Sequence, residues 1–425
     1  MVVAAFDTIK DNSFLWHVTA GHLQSSAAEV LTIDPFSFTV RGEPWLTQSW
    51  LAELLYSVGE STFGIGFVGP MMVLVGLVAM FGIGLVAYRK SSSLLATVSV
   101  LLLGTLLLLP VLVPRPALFS YALFVLVILA WENPSTRWAI PFLMWLWASI
   151  HGTFAIGLVY LGVVAVSHRH WKAIPHLVAA GIATLLTAHG LGVASMLLDF
   201  AGAGPYLALV SEWATPDFLT WGLAPFLVSL VILVWGGIRQ SLEPRHLWVI
   251  AACLALAMSA TRAVAIAWIA LTPVLALSLK GVSWRWGRGF PRAMAAALAI
   301  VILFVPFLLV SPVEIDAEIF PVAARTALSD VRTFHDDSAG GYLIFDERFT
   351  EGVFIDDRAE LYLDRIEEFV EVRSGRRPWE PVFQRDGVEQ ALLKRGEPLI
   401  DRLTDAGWKT TYTDEYWMVL APSSS

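Results

Sequence analysis

The chain has 425 residues; 56% are hydrophobic, only 15% are charged, and the formal net charge is −8. Because soluble domains carry roughly a quarter charged residues, this composition excludes an ordinary soluble protein and indicates a membrane protein with many spans. The acids crowd the opening stretch and the region after Pro312, so the net charge gives no sign of nucleic acid as a partner. The single cysteine, Cys253, excludes an intrachain disulfide and any cysteine metal cluster.

The opening stretch runs from Asp11 to Tyr56 and mixes acids, tryptophans and turn residues ahead of a long apolar run. From Gln48 onward the spacing of apolar residues predicts an amphipathic helix. Its apolar face carries Leu51, Leu54, Leu55 and Val58, and its polar face carries Glu53, Ser57 and Glu60. Such a helix beside a membrane span is expected to lie flat in the interface, which would set a loop of ionisable side chains on a bilayer surface. The alternative is a solvated connector.

The middle of the chain is a series of apolar runs separated by short polar connections. A helix that crosses the ~30 Å hydrocarbon core needs about 20 apolar residues, and shorter helices are possible inside a bundle. We therefore predict ten spans: Gly66–Tyr88, Leu94–Val113, Ala117–Trp131, Trp138–Ile150, Thr153–Ser167, Ala173–His189, Leu219–Ile238, Leu247–Thr261, Ala263–Leu279 and Ala293–Ser311. The bounds around His151 are the least defined, and residues 190–220 could hold a further partial helix.

Lysine and arginine set the predicted orientation, because cytoplasmic connections carry an excess of both. They collect on every second connection, at Arg89-Lys90, Arg137, Arg169 with Lys172, Arg239 with Arg245, and Lys280-Arg285-Arg288-Arg292. The opening stretch and everything after Pro312 are then extracytoplasmic. Only Met1–Lys10 precede that stretch, and these residues are too few to span. Either the tail translocates unaided or, as we expect, a first helix is missing through truncation or a late start codon.

Charge density rises after Pro312, where strand-like runs alternate with helical ones. The predicted strands are Tyr342–Phe345, Val353–Ile355 and Trp417–Leu420, and the predicted helices are Arg358–Val372, Val388–Arg395 and Pro398–Ala406. The predicted fold is thus mainly α, with a small α/β domain at the end. Residues 1–65 form an extracytoplasmic first loop with the interfacial helix, residues 66–312 a transmembrane helix bundle, and residues 313–425 an extracytoplasmic α/β domain.

Two arginines break the pattern of cytoplasmic basic residues. Arg115 lies at the outer end of the second predicted span, and Arg262 at the outer end of the eighth. A guanidinium in apolar sequence suits a lipid phosphate, because it offers fixed bidentate donors to phosphate oxygens. The alternative is a snorkelling arginine or an ion pair with Asp11, Asp34 or Glu53.

Two histidines also fall near the outer face. His151 and His189 are each followed by glycine, and a histidine in that setting is often satisfied by backbone carbonyls at a helix end. They are further candidates for substrate or phosphate binding. With Asp11, His17 and Asp34 they could instead form a metal site, although no i,i+4 pair of ligands supports it.

Two segments of the last region are distinctive. In D-D-S-A-G-G-Y-L, Gly340-Gly341 is read as a tight turn ahead of a strand, and in V-F-I-D-D-R-A-E-L-Y the charged residues follow a strand end. Asp356 and Arg358 could contact the hydroxyl groups of a sugar. The alternative is a local ion pair and turn.

Several of these segments together resemble a known family. The opening reads D-x-x-x-L-W-H, then D-P-F-S-F-T-x-x-G-x-P-W, then W-L-A-E-L-L-Y. Later segments are R-P-A-L-F-S-Y (Arg115–Tyr121), S-I-H-G-T-F, V-S-E-W-A-T-P-D-F (Val210–Phe218), G-G-Y-L and F-I-D-D-R-A-E-L-Y. In this order, over nearly the whole chain, they resemble bacterial polytopic proteins related to the GT-C glycosyltransferase superfamily.

The resemblance implies an enzyme of the bacterial cytoplasmic membrane that transfers a sugar from a polyprenyl-phosphate donor to an envelope glycan, lipid or protein on the extracytoplasmic face. It matches Asp11 to the first-loop aspartate, His17 to its companion histidine, and Asp34 and Glu53 to the later acids. The pattern departs at Ser13, where relatives often carry a second acid. Asp11 is the candidate base, with Asp34 and Glu53 as rivals. No cofactor is certain, and a divalent metal stays open.

Two other classes of function stay open. A transporter or lipid flippase would also have many spans and arginines near a lipid phosphate, but it would usually show acids near the midplane and internal repeats. A non-catalytic envelope scaffold would keep the fold and tolerate loss of the acids.

Overall fold

The structure is a computed structural model of the chain and describes residues 8–196, 214–218, 220–282, 313–346 and 348–423. These residues divide into two compact units. Unit 1 contains the described residues from 8 to 66 and from 313 to 423, and unit 2 contains those from 67 to 282. The opening stretch and the region after residue 312 therefore belong to one unit.

Unit 1 begins with a short strand and two helices: Thr8–Ile9 (β1), Asn12–Ala27 (α1) and Trp50–Phe63 (α2). Helix α1 stops where Ala28 turns to the left-handed region with φ 53°, and α2 stops at Gly64 with φ 70°. Glycine adopts that conformation without strain, so Gly64 is a natural end for α2. The amphipathic helix predicted after Gln48 is confirmed as a helix.

The described secondary structure of unit 2 is helical. Its α-helices are Val68–Ser91 (α3), Leu94–Leu108 (α4), Ala117–Glu132 (α5), Ile140–Ile150 (α6), Phe154–Ser167 (α7), Ile174–Thr184 (α8), Ala224–Ile238 (α9), Pro244–Ser259 (α10) and Ala263–Ser278 (α11). Polar residues mark the boundary between α3 and α4. Ser92 ends α3 with φ 52°, and the Ser93 side chain accepts a hydrogen bond from Ala96 N to begin α4.

Three stretches of the described chain are long and apolar enough to cross a membrane: Ile65–Ser91, Leu94–Val111 and Trp221–Ile238. Four apolar helices are shorter, at 10–17 residues: Ala117–Glu132, Phe154–Ser167, Pro244–Ser259 and Ala263–Ser278. The mainly helical class is confirmed, and these lengths are consistent with association with a membrane. Ten crossings stay a prediction, and the tenth predicted span, Ala293–Ser311, lies outside the described residues.

Helix α11 lies at the centre of unit 2. Its Trp268 is fully buried, and the indole Nε1 donates to Ser229 Oγ of α9 at 2.9 Å. The Trp268 ring occupies the space that a side chain at Gly104 of α4 would need, so α4 can approach only through a glycine. Trp147 of α6 fills the corresponding space at Gly157 of α7. Large rings packed on glycines thus set the spacing of these helices.

Basic and imidazole side chains meet at one end of unit 2. The Lys90 amino group lies 2.8 Å from a Glu132 carboxylate oxygen, and the ring of His168 lies 5.2 Å from that of His246. Burial, followed by the charges of His246 and nearby Arg245, lowers the pKa of His168 to about 4. Lys90 lies in the last turn of α3 and Glu132 is the last residue of α5, while His168 follows α7 and His246 lies in the first turn of α10. Connections predicted to share one side of the membrane therefore lie together.

After residue 312, unit 1 continues with strands and short helices. They are Glu314–Ile315 (β2), Thr333–His335 (β3), Asp337–Phe345 (α12), Leu363–Arg373 (α13), Glu380–Asp386 (α14), Gln390–Lys394 (β4), Pro398–Asp405 (α15), Trp408–Thr413 (β5) and Trp417–Pro422 (β6). A four-stranded sheet has the order β3-β4-β6-β5, with β3 parallel to β4 and the other pairs antiparallel. Strands β1 and β2 form a separate parallel pair.

The rings of Phe334, Phe354, Phe369 and Phe383 form the centre of the core beside this sheet. The ring centroids of the other three lie 4.7–5.5 Å from that of Phe334. At these distances aromatic pairs contribute more stability than the burial of their area alone. The core joins residues from β3, α13 and α14 to the loop that contains Phe354. It fixes the loop that carries Asp356 and Arg358 against the sheet.

Three of the six elements predicted after residue 312 agree with the structure, namely the helices at α13 and α15 and the strand at β6. Tyr342–Phe345 was expected as a strand but lies in α12, and Gly340-Gly341 lies inside that helix rather than in a turn. Val388–Arg395 was expected as a helix but contains β4, because it pairs with both β3 and β6. Val353–Ile355 forms only an isolated bridge, from Val353 to Ser37.

Candidate functional site

The first candidate acid, Asp11, is the N-cap of α1. Its Oδ1 accepts hydrogen bonds from Ser13 N at 3.1 Å, Ser13 Oγ at 2.5 Å and Phe14 N at 3.2 Å. An aspartate at this position satisfies backbone donors that the first helical turn leaves unpaired. Ser13 is thus a hydrogen-bond partner of Asp11. Both residues are buried.

Glu53 of α2 lies at the centre of a buried polar cluster. Its Oε1 lies 3.0 Å from His17 Nδ1 and accepts the Thr47 hydroxyl at 2.5 Å, and its Oε2 accepts the Gln24 amide at 2.5 Å. The Glu53 side chain has no exposed area, and His17 is buried too. A carboxylate so deeply buried requires these donors to replace the water that it loses. The cluster therefore joins α1 to α2 through polar contacts.

Tyr56 brings Asp11 into the same region as Glu53. Its ring centroid lies 5.2 Å from that of Phe14 and 6.2 Å from that of His17. Burial and the nearby carboxylates of Asp11 and Glu53 raise the pKa of Tyr56 well above its usual value. Asp11, His17 and Glu53, proposed from sequence alone, therefore lie around one buried tyrosine.

Asp34 lies in a second cluster, where it pairs with Arg358. Its Oδ1 lies 2.8 Å from Arg358 Nη1, and its two oxygens accept hydrogen bonds from the backbone of Phe36 and Ser37. Arg358 also forms a bidentate pair with Asp356, with Nε–Oδ1 and Nη2–Oδ2 distances of 2.8 and 2.6 Å. All three charged side chains are at most 1% exposed. Burial alone would raise the pKa of Asp356, but Arg358 holds it below its usual range.

Aromatic rings surround this arginine. The Arg358 Cζ lies 4.5 Å from the ring centroid of Trp45, 5.0 Å from that of Phe36 and 5.6 Å from that of Trp16. Guanidinium groups are attracted to ring faces at these distances, most strongly when water is excluded. The rings come from the opening stretch and the arginine comes from the region after residue 312. Of the two roles predicted for Arg358, contact with a sugar or a local ion pair, the structure shows the ion pair.

Trp16 connects the two clusters. Its ring stacks beside His17, with the centroids 3.6 Å apart, and its Nε1 donates to Asp357 Oδ1 at 2.6 Å. Near it, the backbone carbonyl of Asn12 occupies the space that a side chain at Gly341 would need. Helices α1 and α12 therefore touch through backbone, which requires glycine at this position. The L-W-H, D-P-F-S-F, G-G-Y-L and F-I-D-D-R segments thus meet in unit 1.

In unit 2, Arg115 lies in the loop before α5, where its carbonyl accepts a hydrogen bond from Leu118 N at 2.9 Å. His151 ends α6, and its Nδ1 lies 2.9 Å from Thr153 Oγ1. Thr153 Oγ1 in turn donates to Ser120 Oγ at 2.9 Å. This chain of contacts joins the R-P-A-L-F-S-Y segment to the S-I-H-G-T-F segment.

The other two candidates of unit 2 also lie at element ends. Arg262 precedes the first residue of α11, and the preceding Thr261 donates through N and Oγ1 to the Ala214 carbonyl, at 3.0 and 3.1 Å. His189 lies in the turn after α8, where its carbonyl accepts from Gly192 N at 2.9 Å. Arg115 and Arg262, like His151 and His189, are only partly buried.

The sequence identified the acids, His17 and Arg358, but not the other partners of Glu53. Gln24, Thr47 and Tyr56 complete the Glu53 cluster, and no local spacing in the chain marks them as a group. Chemically, the group around Glu53 offers carboxylates, the imidazole of His17 and the phenol of Tyr56 in a water-poor setting, which suits proton transfer. Among the described residues, no group of three or more histidine, cysteine, aspartate or glutamate side chains could hold a metal ion.

Comparison with known proteins gives no family assignment. No protein-family model matches the chain, and a search of curated proteins finds no match.

Proposed function

We propose that this chain is an integral membrane glycosyltransferase that transfers a sugar from a polyprenyl-phosphate donor to an envelope acceptor on the extracytoplasmic face. The observation that carries the proposal is the convergence of Asp11, His17 and Glu53 around Tyr56 in unit 1. These residues belong to the segments that resemble the GT-C superfamily. They supply the ionisable groups that such a transfer needs.

In the proposed reaction, a carboxylate removes the proton of the acceptor hydroxyl while its oxygen attacks the anomeric carbon of the donor sugar. The bond from that carbon to the lipid phosphate breaks, and the phosphate leaves with the bonding electrons. Asp11 is the proposed base. His17 and Glu53 are proposed to hold the surrounding polar groups in place.

Arg115 and Arg262 are proposed to bind the lipid phosphate and to stabilise the negative charge that grows on it as it leaves. His151 and His189 are further candidates for this role. Arg115→Ala should weaken binding of polyprenyl phosphate to the purified protein. The matched control is Arg239→Ala. Arg239 lies over the Trp235 ring and belongs to the basic residues predicted to be cytoplasmic. Equal affinity of the two variants would exclude Arg115 from phosphate binding.

The proposed activity is tested by transfer from radiolabelled polyprenyl-phosphate sugars to envelope extracts, using the purified full chain in liposomes. Asp11→Asn is the informative variant, because asparagine is as good an N-cap as aspartate but cannot act as a base. We expect product from the wild type and none from Asp11→Asn. Product formation by Asp11→Asn at the wild-type rate would contradict the assignment of the base.

A second function is favoured by a specific observation. The carboxylates of Asp11 and Asp34 each make local capping or turn contacts, and Asp34 also pairs with a buried arginine. These contacts would be useful in a non-catalytic envelope scaffold that needs unit 1 only as a stable fold. Absence of transfer from every donor, with lipid-phosphate binding retained, would favour the scaffold or a transporter over the enzyme.

A further inference from the structure

Helix α2 buries polar side chains and exposes apolar ones, the reverse of a surface helix on a soluble protein. Its Glu53 and Tyr56 side chains have no exposed area and Ser57 is 2% exposed, whereas Leu55 is 47% and Val58 60% exposed. A surface helix of a soluble protein normally turns its apolar stripe to the core and its polar stripe to water. Here the polar stripe is buried, whereas Leu55 and Val58 of the apolar stripe are exposed.

The inverted orientation is fixed by contacts with α1. Glu53 forms hydrogen bonds with Gln24 and lies 3.0 Å from His17, both on α1. At Gly21 of α1, the Glu53 carbonyl occupies the space that a side chain would need, so the two helices touch backbone to backbone. Rotating α2 about its axis to bury its leucines would separate Glu53 from Gln24 and His17. The Glu53 side chain would then lose its hydrogen-bond partners. The exposed apolar stripe is therefore a stable feature of the fold.

The chain that follows α2 indicates what covers this stripe. Phe63, the last residue of α2, is 77% exposed, and only Gly64 separates it from Ile65–Ser91, a 27-residue helix long enough to cross a membrane. A helix of that length enters the hydrocarbon near its own first residues. The end of α2 must then lie close to the boundary between headgroups and acyl chains. Exposed apolar side chains at that depth contact lipid at little cost.

We propose that the exposed apolar side chains of α2, Leu55, Val58 and Phe63, dock unit 1 on the lipid bilayer, with the axis of α2 along the membrane surface. The partner is the bilayer itself, through its acyl chains, rather than another protein. The Glu53 cluster then lies on the side of α2 away from the lipid. This proposal does not depend on glycosyl transfer, since it follows from the exposure of α2 and the helix that continues it.

Spin labels test the proposal in the full chain. The cysteine Cys253 is buried, so Cys253→Ala gives a background on which single cysteines can be labelled. Val58→Cys and Leu55→Cys report on the stripe, and Ser25→Cys, at an exposed position of α1, is the matched control. The protein is placed in vesicles of phosphatidylcholine and phosphatidylglycerol. Collision with oxygen, which concentrates in lipid, is compared with collision with a water-soluble nickel chelate.

We expect labels at positions 58 and 55 to collide several-fold more with oxygen than with nickel, and the label at position 25 to show the reverse. Nickel accessibility at 58 and 55 equal to that at 25 would show a solvated connector and overturn the proposal. Spin–spin broadening at 58 would show that a second copy covers the stripe. Low accessibility to both reagents would show another protein contact, and either result would also overturn it.

Discussion

Replacing Arg358 with methionine should open unit 1 locally. The change removes the guanidinium that lies 2.8 Å from Asp34 and 2.6 Å from Asp356, and both carboxylates are nearly inaccessible to water. Removing one partner of a buried ion pair costs about 3–5 kcal/mol, because the remaining charge is left buried. Methionine retains an apolar chain between the Phe36 and Trp45 rings, so the loss comes mainly from charge rather than from an empty cavity.

Hydrogen exchange of the full chain measures this cost where it acts. Amides of α1 and of residues 32–45 should exchange about 100- to 5,000-fold faster in Arg358→Met, since each 1.4 kcal/mol of lost local stability is roughly tenfold in exchange. Adding Asp34→Asn to Arg358→Met should restore part of the protection, because one unpaired charge disappears with it. A double variant as unprotected as the single one would mean that Asp34 carries little of the cost.

The matched control is Arg377→Met. Arg377 lies 3.5 Å from a Glu371 oxygen and is 46% exposed, so its ion pair is screened by water. Exposed pairs contribute at most about 1 kcal/mol, and exchange should change by less than tenfold. If Arg358→Met behaved like Arg377→Met, the Asp34–Arg358–Asp356 cluster would not hold the opening stretch in place.

Two further predictions concern unit 1. Gly341→Ala should destabilise the contact of α12 with α1 by about 1–3 kcal/mol, because its methyl group would collide with the Asn12 carbonyl. Gly162→Ala in α7, where a methyl group meets open space, should instead be neutral or slightly stabilising in thermal unfolding; equal effects would refute the packing argument. Burial and the neighbouring Asp336 raise the pKa of Glu397 to about 8, from a usual value near 4.5. Stability should therefore fall as the pH rises from about 4.5 to 8, because the folded state prefers the protonated acid, and the loss should be complete above about 8. Glu397→Gln should remove this part of the pH dependence and raise the melting temperature at pH 9; an unchanged profile would contradict the raised pKa.

The sequence predicts best what depends on local pattern. Apolar runs predict the helices of unit 2, and the spacing after Gln48 predicts α2. It also places leucines and Glu53 on opposite faces of α2. It does not show which face turns inward, because that depends on Gly21 and Gln24 of α1 and on the contacts they make with Glu53.

The errors in the sequence reading have tertiary causes. Glycines at 340 and 341 favour a turn locally, yet they lie in α12. Glycine is needed at both positions because α1 and the Ile355–Asp356 backbone approach too closely for any side chain. Residues 388–395 have helical character locally, but β4 forms because its two neighbours supply a hydrogen-bond ladder. The Trp16–Asp357 hydrogen bond joins residues 341 positions apart, and no periodicity in the chain can indicate such a pair.

The proposal that Asp11 acts as a base as well as a helix cap can be tested by measuring two properties of the Asp11→Asn variant. Sugar transfer and the hydrogen-exchange protection of α1 should be compared between wild type and Asp11→Asn, both in liposomes. We expect transfer to be lost while protection of Asn12–Ala27 is unchanged, because asparagine preserves the cap. Wild-type transfer, or a loss of transfer that only follows a loss of protection, would contradict it.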